Sequence, residues 1–89
     1  MFVKVEEQNI YFDANGDITN NIPVVYIHGA GKTHLVWKNQ MKISIPGYVQ
    51  IAPDLPGHGK SEGKGYNSID DYTDFVLKFL KSLNKEKMI

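Results

Sequence analysis

The sequence predicts an α/β fold: an N-terminal β-hairpin, then strand–helix–strand steps whose strands pair in parallel. Three observations carry this expectation. Val24-Val25-Tyr26-Ile27 is a continuous apolar run, the mark of a strand covered on both faces. Tyr48 to Ala52 reads as a second buried strand, and both runs open into glycine-rich turns. Beyond them, apolar residues recur at helical steps from Ile69 onward.

The elements follow in order. Phe2 to Glu6 and Asn9 to Asp13 are rich in β-formers and predict a hairpin, with Glu7-Gln8 between the strands. Ala14 to Asn21 reads as a loop, because Asn15-Gly16 and Asn20-Asn21 form turns. Pro23 opens the third strand. His34 to Lys42 predicts a helix with Leu35, Trp37 and Met41 on its inner side, and Pro46-Gly47 breaks it. Pro53 ends the fourth strand. Ser68 is a good N-cap, and Asp71 three residues later makes a capping-box-like pattern. Ile69, Tyr72, Val76, Phe79, Leu80 and Leu83 form one apolar stripe. Asp70, Asp71 and Asp74 at its start and Lys78, Lys81 and Lys85 at its end suit the helix dipole. Met88-Ile89 reads as the start of a further strand, so the sheet is expected to be cut short.

Composition excludes several function classes. The 89 residues fit at most one small domain, with a modest core. Formal net charge is zero and every basic residue is lysine, which argues against a nucleic-acid surface. There is no cysteine, hence no disulfide and no thiolate metal site. No apolar run approaches the ~18 residues of a membrane span, and the N-terminus is no signal peptide, so a cytoplasmic chain is expected.

Three roles fit the turn after Ile27. One is a phosphate cradle, since Gly29-Ala30-Gly31-Lys32-Thr33 follows a strand and precedes a helix. The P-loop needs a further glycine five positions before Gly31; that position is Tyr26, inside the strand. Gly59-Lys60-Ser61 fails in the same way, with Asp54 in the required place. The second role is an oxyanion hole, whose backbone N–H groups would stabilise the negative oxygen of acyl transfer. The third is a tight strand-to-helix turn that merely needs small residues.

His28-Gly29-Ala30-Gly31 followed by Asp54-Leu55-Pro56-Gly57-His58-Gly59-Lys60-Ser61 resembles the first third of an α/β-hydrolase. The order and interval of the two turns match that family, as does the acidic start of the helix from Ser68, so the resemblance covers almost the whole chain. It implies an incomplete α/β-hydrolase domain over residues 1–89: strands one to four, two helices and the start of strand five. It implies that Ala30 donates its N–H to the oxyanion and that Gly29 and Gly31 permit the geometry. Epoxide hydrolases and haloalkane dehalogenases of this fold usually carry proline soon after the His-Gly pair. Ala30-Gly31-Lys32-Thr33 stands here instead, which tilts the resemblance toward serine hydrolases acting on ester or related acyl bonds without a cofactor.

In that family the nucleophile, acid and histidine follow the fifth strand, beyond Ile89. A literal Gly-x-Ser-x-Gly occurs at Gly59-Lys60-Ser61-Glu62-Gly63, but no strand directly precedes it and no helix directly follows, so Ser61 is read as a loop-shaping residue. No catalytic residue is therefore expected within these residues. His28 is expected to pack the turn, His58 to bond within its loop, and His34 to face the cleft at a helix start; they lack the partners of a zinc site. Asp54 is expected to anchor its own loop, and Trp37 to be core. The third strand would present an open apolar edge, inviting the missing C-terminal portion or self-association. Two alternatives stand beside the hydrolase: a non-catalytic binding or structural chain (a degenerate gene product included), and a nucleotide-binding protein relying on Lys32.

Overall fold

The computed structural model describes residues 1–29, 31–65 and 68–83. The hairpin pairs β1 (Phe2–Val5) with β2 (Gln8–Asn15), with Phe2 opposite Tyr11 and Val5 opposite Gln8. The two turn residues are Glu6 and Glu7, at φ 49° and 68°, not Glu7 and Gln8. A two-residue hairpin turn that follows the twist of its strands needs left-handed backbone at both positions. β2 also runs two residues past Asp13, because Ala14 and Asn15 pair with Ile51 and Gln50. Partners distant in sequence override the local turn signal of Asn15-Gly16.

The sheet order is β1-β2-β4-β3, where β3 is Ile22–Val25 and β4 is Tyr48–Pro53. β4 pairs antiparallel with β2 and parallel with β3. The parallel step predicted from the two strand runs is therefore present. β3 lies two residues earlier than its apolar run, and Tyr26 continues the pairing by donating its N–H to Ile51 O at 2.9 Å. β4 is buried from Val49 to Pro53, whereas β3 is only partly covered and has a strand neighbour on one side among the described residues.

The crossover from β3 to β4 is not the predicted helix. It consists of two 3₁₀ turns, His34–Trp37 and Gln40–Lys42. Thr33 caps the first by accepting from Leu35 N–H. Leu35 points outward, and His34 is the buried member. Trp37 is half-buried, its ring 5.0 Å from that of Tyr26.

The final helix, α1 (Ile69–Ser82), starts where the capping pattern places it: Ser68 Oγ accepts from Asp71 N–H at 3.2 Å. Its stripe divides in two. Phe75, Phe79 and Leu80 are buried against Val5, Ile10, Phe12, Val49 and Ile51. Ile69, read as part of the stripe, is 83% exposed, and Phe75, left out of it, is core. The expected strand at Met88-Ile89 lies outside the described residues.

Candidate active-site cleft

Because β3 and β4 run parallel, their C-terminal ends lie at the same edge of the sheet, where open α/β sheets place ligands. The two glycine turns leave from these ends and are laced together by all three histidines of the chain. His28, almost wholly buried, has Nδ1 2.8 Å from Gly29 O, while its Nε2 accepts from Leu55 N–H at 3.0 Å. His58 has Nδ1 3.0 Å from Pro56 O, and its Nε2 accepts from Gly31 N–H at 3.1 Å. In both rings the backbone N–H partner assigns the proton to Nδ1 and leaves Nε2 as acceptor. The imidazoles lie 5.1 Å apart.

The third lacing runs through Asp54, which has no solvent exposure. Its Oδ1 accepts from the backbone N–H of His34 at 2.7 Å and from His34 Nδ1 at 2.8 Å; its Oδ2 accepts from Lys60 N–H at 2.9 Å. Burial by itself would raise this carboxyl. The Lys60 and His34 donors outweigh it and hold Asp54 below the usual carboxylate range. His34 Nε2 also stands 3.5 Å from Asp13 Oδ2. Tyr11 completes the cluster: its hydroxyl donates to Asp13 Oδ1 at 2.7 Å, and that bond, helped by burial and by the negative charges of Asp13 and Asp54, raises the phenol. Nothing in the sequence near Tyr11 or Asp13 signals this role, because β2 reaches Asp54 only through the sheet.

Of the residues singled out for the oxyanion, Gly29 and Gly31 lie at the tip of β3, and Gly31 has φ 78°. The N–H of Gly31 is held by His58. Ala30 lies outside the described residues. Ser61 sits elsewhere: its Oγ donates to Asp54 O at 2.7 Å and accepts from Tyr11 N–H at 2.9 Å. Glu62 follows by donating its N–H to Asn9 O at 3.0 Å, so this stretch docks on β2. Gly59 has φ 50°, and a Cβ there would collide with the Asp54 carboxylate. His34 does not face the cleft; it is buried against Asp54.

Between the turns and α1 is an apolar cleft of about 360 Å³, lined among others by Ile27, His28, Leu55, Ile69, Tyr72 and Val76. The helix thus offers one apolar face to the sheet and a second to this cleft, which accounts for exposed Ile69. A recess of about 300 Å³ lies between the hairpin turn and α1, and none of its lining residues belongs to the two turns. The described residues hold no group of three or more His, Cys, Asp or Glu arranged to bind a metal, and no helix long and apolar enough to cross a membrane.

Residues 22–89 match the family model of the alpha/beta hydrolase fold. The chain belongs to the α/β-hydrolase family. Within it, the chain is 32% identical over 68 residues to the pimeloyl-[acyl-carrier protein] methyl ester esterase of Pectobacterium carotovorum, covering 76% of this chain and 26% of that enzyme. The chain therefore spans about a quarter of the length of that relative. Among solved structures of this fold, a bacterial membrane phospholipase A superposes with a TM-score of 0.87 at 22% identity, covering 99% of this chain and 29% of the other. The Cif epoxide hydrolase of Acinetobacter nosocomialis superposes with a TM-score of 0.74 at 26% identity, covering 91% and 25%. The same fold thus occurs in a phospholipase and in an epoxide hydrolase.

Proposed function

We propose that these residues form the oxyanion side of a serine-type α/β-hydrolase that cleaves an ester or related acyl bond. The nucleophile, acid and catalytic histidine are then supplied by residues other than these 89. The observation that carries this reading is the placement of Gly29 and Gly31 beyond the end of β3, with His28 and His58 bonding the two glycine turns together and Gly29 lining an apolar cleft. An oxyanion hole requires backbone N–H donors fixed before the charge develops, and the bracing by His28 and His58 supports this reading. Similarity to a methyl ester esterase supports an acyl substrate.

The bonding of Ser61 supports the absence of a nucleophile here. Its hydroxyl both donates and accepts within the loop, and no strand-to-helix elbow surrounds it. On this reading the 89 residues alone do not hydrolyse esters. The nucleotide-binding alternative gains nothing from the structure, because the turn lacks the P-loop spacing.

A chimera tests the proposal. The corresponding N-terminal segment of the Pectobacterium esterase is replaced by this chain, and hydrolysis of a short-chain methyl ester is measured. Turnover well above background, kept in the Ser61→Ala chimera, is expected. A folded chimera whose activity depends on Ser61 contradicts the proposal, as does a folded chimera without activity.

A further inference from the structure

We propose that His28 and His58 are positioning residues that hold Gly29 and Gly31 against the loop after β4 only as neutral imidazoles, so that protonation releases this clasp. That the clasped glycines serve an oxyanion rests on the reading above; the clasp itself rests on geometry alone. Each ring spends its single proton on a carbonyl, His28 on Gly29 O and His58 on Pro56 O. Each then uses the bare Nε2 to accept a backbone N–H from the opposite turn. A protonated imidazole has no acceptor. Its Nε2–H would point at Leu55 N–H or Gly31 N–H, turning an attraction into a repulsion. Histidine is the side chain whose charge ordinarily changes between pH 5 and 8.

The surroundings offer the cations little compensation. The rings face one another at 5.1 Å, so a charge on one opposes a charge on the other. From α1, Tyr72 lines the same cleft as His28, and its hydroxyl flanks Gly65 as His58 does. From the loop after β4, the Asp54 carboxylate is turned to His34 and Lys60 N–H, and the Lys60 ammonium lies over the Tyr11 ring. In the first turn itself Lys32 is exposed. No ion pair reaches either ring among the described residues.

The test is a pH titration of the 89-residue chain by ¹H–¹⁵N and imidazole Cε1 NMR. The Gly31 amide is expected to move upfield on acidification with the midpoint of His58 Cε1, and the Leu55 amide with that of His28. In His58→Gln, whose side-chain oxygen can accept the same N–H without titrating, the Gly31 amide is expected to keep its downfield position at every pH. His58→Ala is expected to lose it at every pH. An amide of Gly31 that ignores the His58 titration in the unmodified chain overturns the proposal, whatever the variants do. These amide shifts do not depend on ester hydrolysis, so the clasp and the oxyanion reading fail separately.

Discussion

Asp54 has no contact with solvent, yet three donors converge on its carboxylate, two from His34 just after the first glycine turn and one from Lys60 in the second. Because it is held below its ordinary range, the folded chain binds the Asp54 proton more weakly than the unfolded chain does. Its stabilising contribution is therefore complete above the unfolded value near pH 4 and fades as pH falls through the folded value. Urea midpoints measured from pH 7 to pH 3 should drop on the acid side, and Asp54→Asn should lower the midpoint at pH 7 and flatten that drop. An unchanged acid slope in the variant would assign acid sensitivity to other carboxylates. That Asp54 anchors its loop is legible from its position before Leu55-Pro56-Gly57, since aspartate commonly bonds to nearby backbone in turns. That it also binds His34, twenty residues earlier, is not legible, because no local pattern records a contact made across the sheet.

At the scale of elements, legibility follows how local the determining contacts are. The start of α1 depends on Ser68 and Asp71, three residues apart, and the sequence shows it directly. The segment from His34 depends on Asp54, which fixes both the backbone and the ring of His34 and is matched by two 3₁₀ turns in place of a helix. The α1 stripe misleads for a related reason: periodicity finds apolar positions but not what each faces. Phe79 faces the sheet, so Phe79→Ala should cost about 3–5 kcal/mol. Ile69 faces the cleft, so Ile69→Ala should leave thermal unfolding nearly unchanged, within about 0.5 kcal/mol. Equal losses for the two variants would mean that the two faces of α1 are not distinct.

At the scale of the molecule, four strands and one α-helix among the described residues enclose a small core, and β3 has an open side among them. Ile22, on that strand, is 44% exposed. Such an edge invites pairing with another chain, and a charge placed on it discourages this. Sedimentation across a concentration series should show association that Ile22→Lys reduces; a monodisperse monomer at every concentration would contradict it. Two parallel strand tips bring the glycine turns together, while the only serine in a Gly-x-Ser-x-Gly pattern is committed to Tyr11 and Asp54 within its loop. The most direct test is p-nitrophenyl acetate hydrolysis by the 89-residue chain and by its Ser61→Ala variant. Both should show the same background rate; turnover by the unmodified chain that disappears in Ser61→Ala would make Ser61 a nucleophile and contradict its role as a loop residue.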